Sequence, residues 1–279
     1  MAEAPIALIT GCSSGIGRQL ALAFAARGVT VLATARRTES LHSLVRQHSN
    51  IEAFTLELGD IDSIERLKDA VVKRTGGRLD FLVNNAGTHY AATALDLDMK
   101  EVIELFKVNV FAVMRLCQVF VPLLRNAARG RIVQIGSVTR DVPMVWQGAY
   151  NASKAALSQY TKTLRLELAP LNIEVIEIVT GFVRSNILHH GLYAPETSLY
   201  LPIKDAIEQV KYEGNANGMA TEAYAASVVN KLMRRRVASE IWDGAMAWYL
   251  YFLVTFLPLR VLNWILYYRF ELGRLSSSI

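Results

Sequence analysis

The sequence predicts an α/β fold in which helices cover both faces of a doubly wound parallel sheet. Short apolar runs without polar alternation indicate strands that are buried on both faces. Between them lie longer stretches whose apolar residues recur every three or four positions, as in helices that pack on a sheet. Regular alternation of the two patterns implies right-handed crossovers, which place parallel strands in one sheet.

The predicted elements alternate from the N-terminus onward. The predicted strands are Ile6–Thr10, Val29–Ala35, Ile51–Leu58, Leu79–Val83, Arg131–Gly136 and Ile173–Ile178. The predicted helices are Ile16–Ala26, Thr38–Gln47, Ile61–Arg74 and two long helices near 99–125 and 150–169. Because no repeat or low-complexity linker interrupts this pattern, residues 1–240 are predicted to form one domain and residues 241–279 a hydrophobic C-terminal tail.

Composition and charge exclude several classes of protein. Hydrophobic residues make up 52% and charged residues 20% of the 279 residues, which excludes intrinsic disorder. The net charge of +5 includes one dense basic run, Arg234–Arg236, so we expect no nucleic-acid partner. Cys12 and Cys117 cannot form a disulfide framework, and the cysteines and histidines lack metal-site spacing. We therefore expect a reducing compartment, no secretory signal and no metal.

The turn after the first strand is typical of a phosphate-binding loop. Thr10–Gly17 reads Thr-Gly-Cys-Ser-Ser-Gly-Ile-Gly and opens into a helix. Glycines let the backbone approach a pyrophosphate closely, and the amides of the first helical turn face the anion. A plain tight turn is the alternative. The predicted cofactor contacts here are Gly11, Ser13, Ser14, Gly15, Ile16 and Gly17.

The end of the second strand indicates which nucleotide binds. An NAD site usually has an acidic residue there, which holds the adenosine ribose. Here the strand ends in Arg36 and Arg37, with no acid before Glu39. Because a guanidinium suits a 2′-phosphate, we predict NADP(H), with Arg36 or Arg37 or both as its clamp. An ordinary basic helix start is the alternative, and Glu39 could turn inward.

A tyrosine and a lysine stand one helical turn apart where the second long helix begins. The i, i+4 spacing places Tyr150 and Lys154 on one helix face. A cation beside a phenol lowers its pKa from about 10. Ser137 ends the preceding predicted strand, at the sheet edge where ligands bind in such folds. Together the three residues predict proton transfer, although Tyr-x-x-x-Lys alone is common in helices.

These motifs, taken in order, resemble those of the classical short-chain dehydrogenase/reductase family over roughly residues 5–190. Thr10–Gly17 matches the family's cofactor turn, and Asn84–Gly87 matches its sheet-stabilising motif. Asn109 matches the asparagine of a catalytic tetrad that Ser137, Tyr150 and Lys154 complete. The resemblance implies a Rossmann-type fold and hydride transfer between a nicotinamide and a carbonyl or alcohol carbon.

The resemblance also implies individual roles. Tyr150 would donate a proton during reduction, and Ser137 would hydrogen-bond the substrate oxygen. Lys154 would hold the nicotinamide ribose and depress the pKa of Tyr150. Asn109 would anchor a water of the proton relay through a local helix distortion. Further NADP(H) contacts are implied for Tyr150, Lys154, Glu57, Leu58, Asp60, Asn85, Ala86, Gly87, Gly181, Val183 and Ser185.

The sequence departs from the family pattern at two of these places. Glu57-Leu58 stands where Asp-Val is usual, so the adenine contact is expected to shift, with Asp60 as a substitute. Thr180-Gly181 replaces the usual Pro-Gly, which predicts a looser turn. The run 180–185, Thr-Gly-Phe-Val-Arg-Ser, is similar to a subgroup related to fungal 1-acyldihydroxyacetone-phosphate reductases, and such a reductase of lipid synthesis is one candidate activity.

The substrate wall is expected to come from residues 88–90, 142–146 and 182–214. The middle segment is apolar and aromatic, which favours a lipophilic ketone of the acyl-ketone, steroid, retinoid, terpenoid or polyketide type. These residues could instead pack beneath a lid. Arg140 and Arg184 could meet a phosphate or carboxylate, or lie at the surface. His89, His189 and His190 are expected to be solvated or to pack, without a metal.

The tail is the most apolar part of the sequence. Residues 245–259 include no charged side chain, and a helix of that length, roughly 22 Å, is shorter than a bilayer core of about 30 Å. We therefore expect residues 245–268 to contact a membrane peripherally or as a monotopic anchor, on the cytoplasmic face of the endoplasmic reticulum or a lipid droplet. The alternative is a cytoplasmic protein whose C-terminal helices close the substrate pocket or are buried in a dimer interface.

Two further expectations concern the whole protein. The resemblance implies a homodimer or tetramer that pairs through the helices near 99–125 and 150–169. A non-catalytic, membrane-bound NADPH-binding protein is the alternative to an enzyme, because fold alone does not guarantee activity. Retention of both Tyr150 and Lys154 favours the enzyme, in lipid or secondary metabolism.

Overall fold

Seven parallel strands form one sheet in the part of the chain that the structure describes. The computed structural model describes residues 4–185 and 191–276. Its strands lie in the order β3-β2-β1-β4-β5-β6-β7, so the chain reverses direction across the sheet between β1 and β4. This is the predicted doubly wound topology. The strands are β1 (Ile6–Ile9), β2 (Thr30–Ala35), β3 (Ile51–Thr55), β4 (Phe81–Asn84), β5 (Gly130–Ile135), β6 (Ile173–Thr180) and β7 (Glu240–Asp243).

Helices connect the strands and extend beyond the last one. They are α1 (Gly15–Ala25), α2 (His42–Gln47), α3 (Ile61–Thr75), α4 (Met99–Phe106), α5 (Ala112–Leu124), α6 (Gly148–Leu168), α7 (Lys204–Ala216), α8 (Thr221–Leu232), α9 (Ala247–Phe256), α10 (Leu259–Arg269) and α11 (Gly273–Ser276). A π-helical segment, Lys107–Phe111, joins α4 to α5. Among the described residues, the joined helix Met99–Leu124 is the one long and apolar enough to cross a membrane, and half of its most apolar stretch is buried.

The sheet separates two apolar cores. On one face α1 and α8 pack against the strands, with Phe24 and Tyr224 fully buried. On the other face α3, α5 and α6 contribute a second buried cluster that includes Phe120 and Leu157. The unbroken apolar strands seen in the sequence are therefore covered on both faces, as parallel strands require.

Three local features differ from the predicted elements. β3 ends at Thr55, because the chain then turns away and the Glu57 amide donates to the Ser63 hydroxyl (2.9 Å). The predicted helix Thr38–Gln47 begins as a 3₁₀ turn and becomes α-helical at His42. The edge strand β7 was not predicted, because its four residues are too few to show a pattern.

Candidate active site

A cleft of about 750 Å³ opens at the carboxyl edge of the sheet. The glycine-rich turn after β1 and the ends of β2, β4, β5 and β6 line it, and α7 closes its far end. The cleft therefore spans the point between β1 and β4 where the strand order reverses, which is where open α/β sheets bind ligands.

The glycines after β1 let the first residues of α1 pack directly against the backbone of the turn. A Cβ atom at Gly17 would lie 2.2 Å from the Gly11 carbonyl oxygen, so glycine is required there. Gly11 and Gly15 have φ values of +74° and +56°, which favour glycine. Ser14 is the N-cap of α1, but its side chain makes no capping hydrogen bond. The first-turn amides thus face the cleft without a side-chain cap, which fits a dinucleotide phosphate.

Hydrogen bonds attach the Asn84–Gly87 segment to this turn. The Thr10 hydroxyl accepts from the amides of Asn85 (3.0 Å) and Ala86 (2.9 Å). The Asn85 side chain donates to the Thr10 carbonyl (2.8 Å). Ala86 and Gly87 are thereby held as a wall of the cleft, where the sequence motif predicted them.

The two arginines after β2 have different positions. Arg36 lines the cleft beside Ala35, whereas Arg37 caps the 3₁₀ turn Thr38–Leu41 and is not a lining residue. Glu39 is exposed on that turn and is likewise not part of the cleft wall. The nucleotide end of the cleft therefore presents a guanidinium where an NAD site has a carboxylate, which fits a 2′-phosphate.

The residues that follow β3, the strand next to β2, also line the cleft. Glu57 and Leu58 line the cleft, and the Glu57 carboxylate accepts from the Gly59 amide (3.2 Å). Asp60 does not line it, contrary to its predicted role as a substitute contact. Its carboxylate caps α3 through the Asp62 amide (2.9 Å) and pairs with Arg66 (2.9 Å), because the chain starts a helix at that point.

Ser137, Tyr150 and Lys154 line the same cleft as the glycine-rich turn. All three are largely buried, with 8%, 9% and 6% of their surface exposed. The Lys154 ammonium donates to the Ile135 carbonyl at the end of β5 (2.9 Å) and lies 5.8 Å from the centre of the Tyr150 ring. Ser137 caps a 3₁₀ turn, accepting from the Thr139 amide (3.2 Å).

The acidity of these groups differs from the sequence-based expectation. Burial raises the pKa of Tyr150 to about 12, and a hydrogen bond with Ser137 only partly opposes this. Burial also lowers the pKa of Lys154 to about 8, against the opposing charge of Glu177. The expected lowering of the phenol pKa by Lys154 is thus wrong for this structure, because desolvation dominates and the ammonium bonds a backbone carbonyl.

Asn109 is not a lining residue of the cleft, although the resemblance groups it with Ser137, Tyr150 and Lys154. Its side chain accepts from the Thr88 amide (2.9 Å) and donates to the Thr88 carbonyl (3.0 Å) and the Ser153 hydroxyl (3.1 Å). It lies within the π-helical segment Lys107–Phe111, so the expected helix distortion is present. The amide thereby ties α6 to the strand–loop segment after β4.

The turn after Ser137 carries a buried ion-pair cluster that the sequence did not predict. Arg140, three residues after Ser137, contacts Glu177 on β6, Glu240 on β7 (2.8 Å) and Asp141 (2.8 Å). Its guanidinium also lies over the Trp242 ring, 5.4 Å from the centre. These carboxylates occupy the Arg140 guanidinium, so Arg140 is neither a surface residue nor a binding site for a substrate anion. In the sequence, Glu177 within the otherwise largely apolar strand Ile173–Ile178 was the signal that could have predicted a buried ion pair.

The other end of the cleft is largely apolar. Its lining side chains include Tyr90, Met144, Val145, Leu192, Ile207, Val210, Lys211 and Phe270, and the cleft wall also includes the polar residues His89, Glu101, Glu104 and Gln147. The expected wall segments contribute only in part, since Trp146 is not a lining residue: it packs in the apolar cluster behind Leu192 and Phe270 and donates to the Tyr193 carbonyl (3.2 Å). His89 is buried and packs its ring 4.7 Å from that of Tyr150. His189 and His190 lie outside the described residues, and Arg184 is exposed.

The C-terminal extension supports the cleft in two places. The Gly181 amide donates to the Asp243 carbonyl (2.8 Å), and the Phe182 amide donates to the Ala245 carbonyl (2.9 Å). These bonds fix the turn that carries the lining residues Gly181, Val183 and Ser185. The turn is therefore held in place without the usual proline. Phe270, just after α10, lines the substrate end and is buried.

Comparisons with known proteins agree with this geometry. A family model described as short chain dehydrogenase matches residues 5–191. The short-chain dehydrogenase srdE of Neurospora crassa is 38% identical over 275 residues, 98% of this chain and 94% of that protein. An NADPH-dependent 1-acyldihydroxyacetone phosphate reductase of Schizosaccharomyces pombe is 41% identical over 207 residues, 72% of this chain and 69% of that protein. The crystal structure of a short-chain dehydrogenase from Streptomyces avermitilis has a TM-score of 0.80 and 29% identity, with 100% of this chain and 99% of that chain covered.

Proposed function

The chain belongs to the short-chain dehydrogenase family, and from this we propose that it reduces the carbonyl group of a lipophilic substrate with NADPH. It is an NADP(H)-dependent oxidoreductase that acts on CH–OH and C=O groups. The observation that carries the proposal is the single cleft that joins the glycine-rich turn, Ser137, Tyr150 and Lys154 to an apolar far end.

The protein supplies proton transfer and orientation to this reaction. NADPH, when bound, supplies the hydride. Tyr150 remains protonated at neutral pH, because its pKa is about 12, and its phenol can donate to the carbonyl oxygen as negative charge develops there. The Ser137 hydroxyl orients the same oxygen. The Lys154 ammonium, charged below pH 8, stabilises the phenolate that remains after proton transfer.

The apolar lining supports a lipophilic substrate. Met144, Val145, Leu192, Ile207 and Val210 surround the end of the cleft beyond Tyr150. Such walls favour acyl-ketones, steroids, retinoids, terpenoids or polyketides over small hydrophilic ketones, because apolar burial contributes about 25 cal/mol per Å². A 1-acyldihydroxyacetone phosphate is a second candidate substrate, supported by the identity to the Schizosaccharomyces pombe reductase.

The proposed function is tested by NADPH oxidation with a panel of acyl-ketone, steroid, retinal and polyketide substrates. We expect turnover of at least one lipophilic class, and loss of that turnover by a factor of at least about 100 in Tyr150→Phe, which lacks the proton donor. NADPH fluorescence should show unchanged cofactor binding in this variant. Equal turnover by both proteins would refute the mechanism, and no turnover of any ketone would favour a non-catalytic NADPH-binding protein.

We also propose that the C-terminal extension contacts the cytoplasmic face of the endoplasmic reticulum or a lipid droplet. On α9 and α10 the exposed large side chains are Trp248, Tyr249, Phe252, Phe256, Leu259, Val261, Trp264, Tyr267 and Tyr268. Contiguous exposed apolar and aromatic surface indicates an interaction site, and Trp and Tyr favour a lipid interface. At roughly 15 Å, α9 is too short to span a bilayer, which favours monotopic contact.

Membrane contact is tested on the exposed face itself, because truncation after Ser239 would also remove β7 from the sheet. The triple variant Trp248→Ser, Phe252→Ser and Phe256→Ser should lose co-sedimentation with vesicles of phosphatidylcholine and phosphatidylserine. It should also become extractable by carbonate from cell membranes. A control triple changes exposed residues elsewhere, Ile61→Ser, Leu95→Ser and Leu199→Ser, and should behave as wild type. Equal sedimentation of both triples would refute membrane contact through this face.

Self-association through the long helices is the remaining part of the proposal. Phe111 in the π-helical segment and Leu166 on α6 are both more than half exposed, which supports a homodimer or tetramer that buries them. Light scattering should give a multiple of the 31.0 kDa chain mass. Leu166→Asp should reduce that mass, whereas a monomeric wild-type protein would refute the proposal.

A further inference from the structure

Two polar side chains lie in the cleft wall beside Tyr150. Gln147 and His89 line the cleft and are 9% and 6% exposed. Gln147 is the N-cap residue of α6, three positions before Tyr150, but its side chain makes no capping hydrogen bond. His89 follows β4 in the chain, and the centre of its ring lies 4.7 Å from that of Tyr150. Both side chains are therefore neighbours of the residue that donates a proton in the proposed reaction.

A hydrogen bond with His89 fixes the orientation of the Gln147 amide. His89 Nε2 lies 3.2 Å from Gln147 Oε1, and the ring nitrogen donates because an amide oxygen only accepts. His89 follows Thr88, whose backbone is held by two hydrogen bonds with the Asn109 side chain (2.9 and 3.0 Å). The amide of Gln147 is therefore oriented by contacts that extend back to Asn109.

This orientation directs the amide nitrogen of Gln147 to the cleft. Among the residues that the structure describes, Nε2 has no hydrogen-bond partner. The nitrogen is not completely buried, so its two N–H groups are accessible from the cleft that Gln147 lines. A ligand oxygen at this place would supply the acceptor for a donor that is already oriented.

The donor is uncharged, which indicates the kind of oxygen that it would bind. An amide N–H group suits a neutral carbonyl or hydroxyl oxygen. Glu101 and Glu104, which also line the cleft, are exposed on α4, and their carboxylates would repel an anion and cannot donate to it. The polar group of the substrate that faces Gln147 is therefore expected to be a neutral oxygen.

We infer that Gln147, oriented by His89, binds a second oxygen of the substrate, so that the preferred substrates are lipophilic ketones with a carbonyl or hydroxyl oxygen in a 1,3-relation to the reacting carbonyl. The inference rests on the proposed ketone reduction. His89 contacts both Gln147 and the Tyr150 ring, so the amide lies near the phenol and the two substrate oxygens must be close together. An isolated ketone would displace water from the amide without replacing its hydrogen bond, which disfavours that ketone.

The experiment compares ketones that differ in one oxygen, with NADPH. Methyl 3-oxodecanoate is paired with 1-methoxy-3-decanone, which lacks only the ester carbonyl oxygen. Methyl 9-oxodecanoate and 10-methoxy-2-decanone form a second pair, in which the ester is remote from the ketone. The preference is the ratio of kcat/KM within a pair. Because a nearby ester also changes the intrinsic reactivity of a ketone, the result is the change in this ratio between a variant and wild type.

The variants assign the preference to one side chain. Gln147→Leu removes the donor at a similar volume and should lower the ratio of the first pair about tenfold or more, without lowering that of the second pair. His89→Phe keeps an aromatic ring beside Tyr150 but cannot hold the amide, and it should lower the first ratio in part. Gln159→Leu changes an exposed glutamine of α6 outside the cleft wall and is the matched control, with wild-type ratios expected.

A measurement on the wild-type protein covers the case in which thermal melting shows that Gln147→Leu does not fold. Methyl 3-hydroxydecanoate should inhibit the reduction of a lipophilic ketone competitively, at least about tenfold more strongly than 1-methoxy-3-decanol. These alcohols are not reduced by NADPH, so the reactivity of a ketone does not enter the comparison.

Three results would overturn the inference. They are equal inhibition by the two alcohols, an unchanged first ratio in folded Gln147→Leu, and an equal fall of the ratio in both pairs. An unchanged ratio with lower activity towards every ketone would mean that Gln147 only positions its neighbours. The proposed function would survive these results if Tyr150-dependent reduction of the methoxy ketones continued. Absence of all ketone reduction would overturn both.

Discussion

In the proposed reduction Tyr150 would donate its proton as a neutral phenol, because burial raises its pKa to about 12. A phenol with a pKa of about 12 is fully protonated at neutral pH, which suits the direction of carbonyl reduction. The Lys154 ammonium lies 5.8 Å from the ring centre and its pKa of about 8 leaves it charged at pH 7. In the proposed reaction its charge would therefore stabilise the phenolate that forms on Tyr150.

The ionisation of Tyr150 can be measured by ultraviolet absorbance of the cofactor-free protein. Because burial raises the phenol pKa, wild-type protein and Tyr150→Phe should show no difference in tyrosinate absorbance between pH 6 and about pH 9. The other ten of the eleven tyrosines are common to both proteins. A difference equal to one tyrosinate in that range would show that Lys154 overcomes the effect of burial.

Cofactor choice is a second property of single residues. Arg36 lines the cleft and Arg37 does not, although they are adjacent in the sequence. Arg36→Ala should therefore raise the KM for NADPH about 10- to 100-fold and leave the KM for NADH unchanged, since it removes a contact to the 2′-phosphate. Arg37→Ala is the matched control. Steady-state kinetics with both cofactors would contradict this assignment if Arg37→Ala had the larger effect.

At the scale of elements, the turn that carries Ser137 is attached to the far edge of the sheet. Arg140 extends from the 3₁₀ turn Val138–Arg140 to Glu177 on β6 and Glu240 on β7. A Cβ atom at Gly136 would lie 2.5 Å from the Glu177 carboxylate, so β6 also restricts the residue before Ser137. The position of Ser137 therefore depends on strands that follow it in the sequence.

Removal of Arg140 should be strongly destabilising. Arg140→Met leaves the fully buried carboxylate of Glu177 unpaired, and breaking such a pair costs about 3 to 5 kcal/mol. Adding Glu177→Gln to that variant should recover part of the loss. Arg66→Met, which breaks the exposed pair with Asp60, should have little effect on the free energy of unfolding, because solvent screens that pair. Urea unfolding measures all four proteins, and similar losses in Arg140→Met and Arg66→Met would contradict the assignment.

At the scale of the whole molecule, the C-terminal extension has two different faces. Leu262 and Phe270 are buried, with Phe270 in the substrate end of the cleft. The side chains of Trp248, Phe256 and Trp264 are exposed. The predicted closure of the pocket by the tail corresponds to Phe270 in the cleft wall, whereas contact of the exposed face with a membrane stays a prediction.

The inner face should affect substrate binding more than chemistry. Phe270→Ala removes apolar wall from the cleft and should raise the KM for long-chain ketones about tenfold or more, with a small change in kcat. Phe256→Ala, an exposed aromatic in the same extension, should leave both constants unchanged in detergent-free assays with a short-chain ketone. Kinetics with short and long ketones distinguish the effects, and an equal rise for both chain lengths would contradict a role for Phe270 in the acyl-binding wall.

Local sequence patterns were enough to predict the parallel sheet, the glycine-rich turn and the grouping of Ser137, Tyr150 and Lys154. These depend on local patterns: apolar runs for buried strands, glycines where the backbone must approach closely, and i, i+4 spacing on a helix. The guanidinium at the end of β2 was also visible, although only the fold showed which of the two arginines enters the cleft.

Tertiary structure decided what depends on contacts between distant segments. Arg140 and Glu177 are 37 positions apart, and Phe270 reaches a cleft whose glycine-rich turn lies near the other end of the chain. The pKa of Tyr150 is set by desolvation, which depends on everything packed around the phenol and not on the spacing to Lys154. Short-range patterns record backbone conformation and helix faces, whereas burial and charge pairing arise only when separate elements pack together.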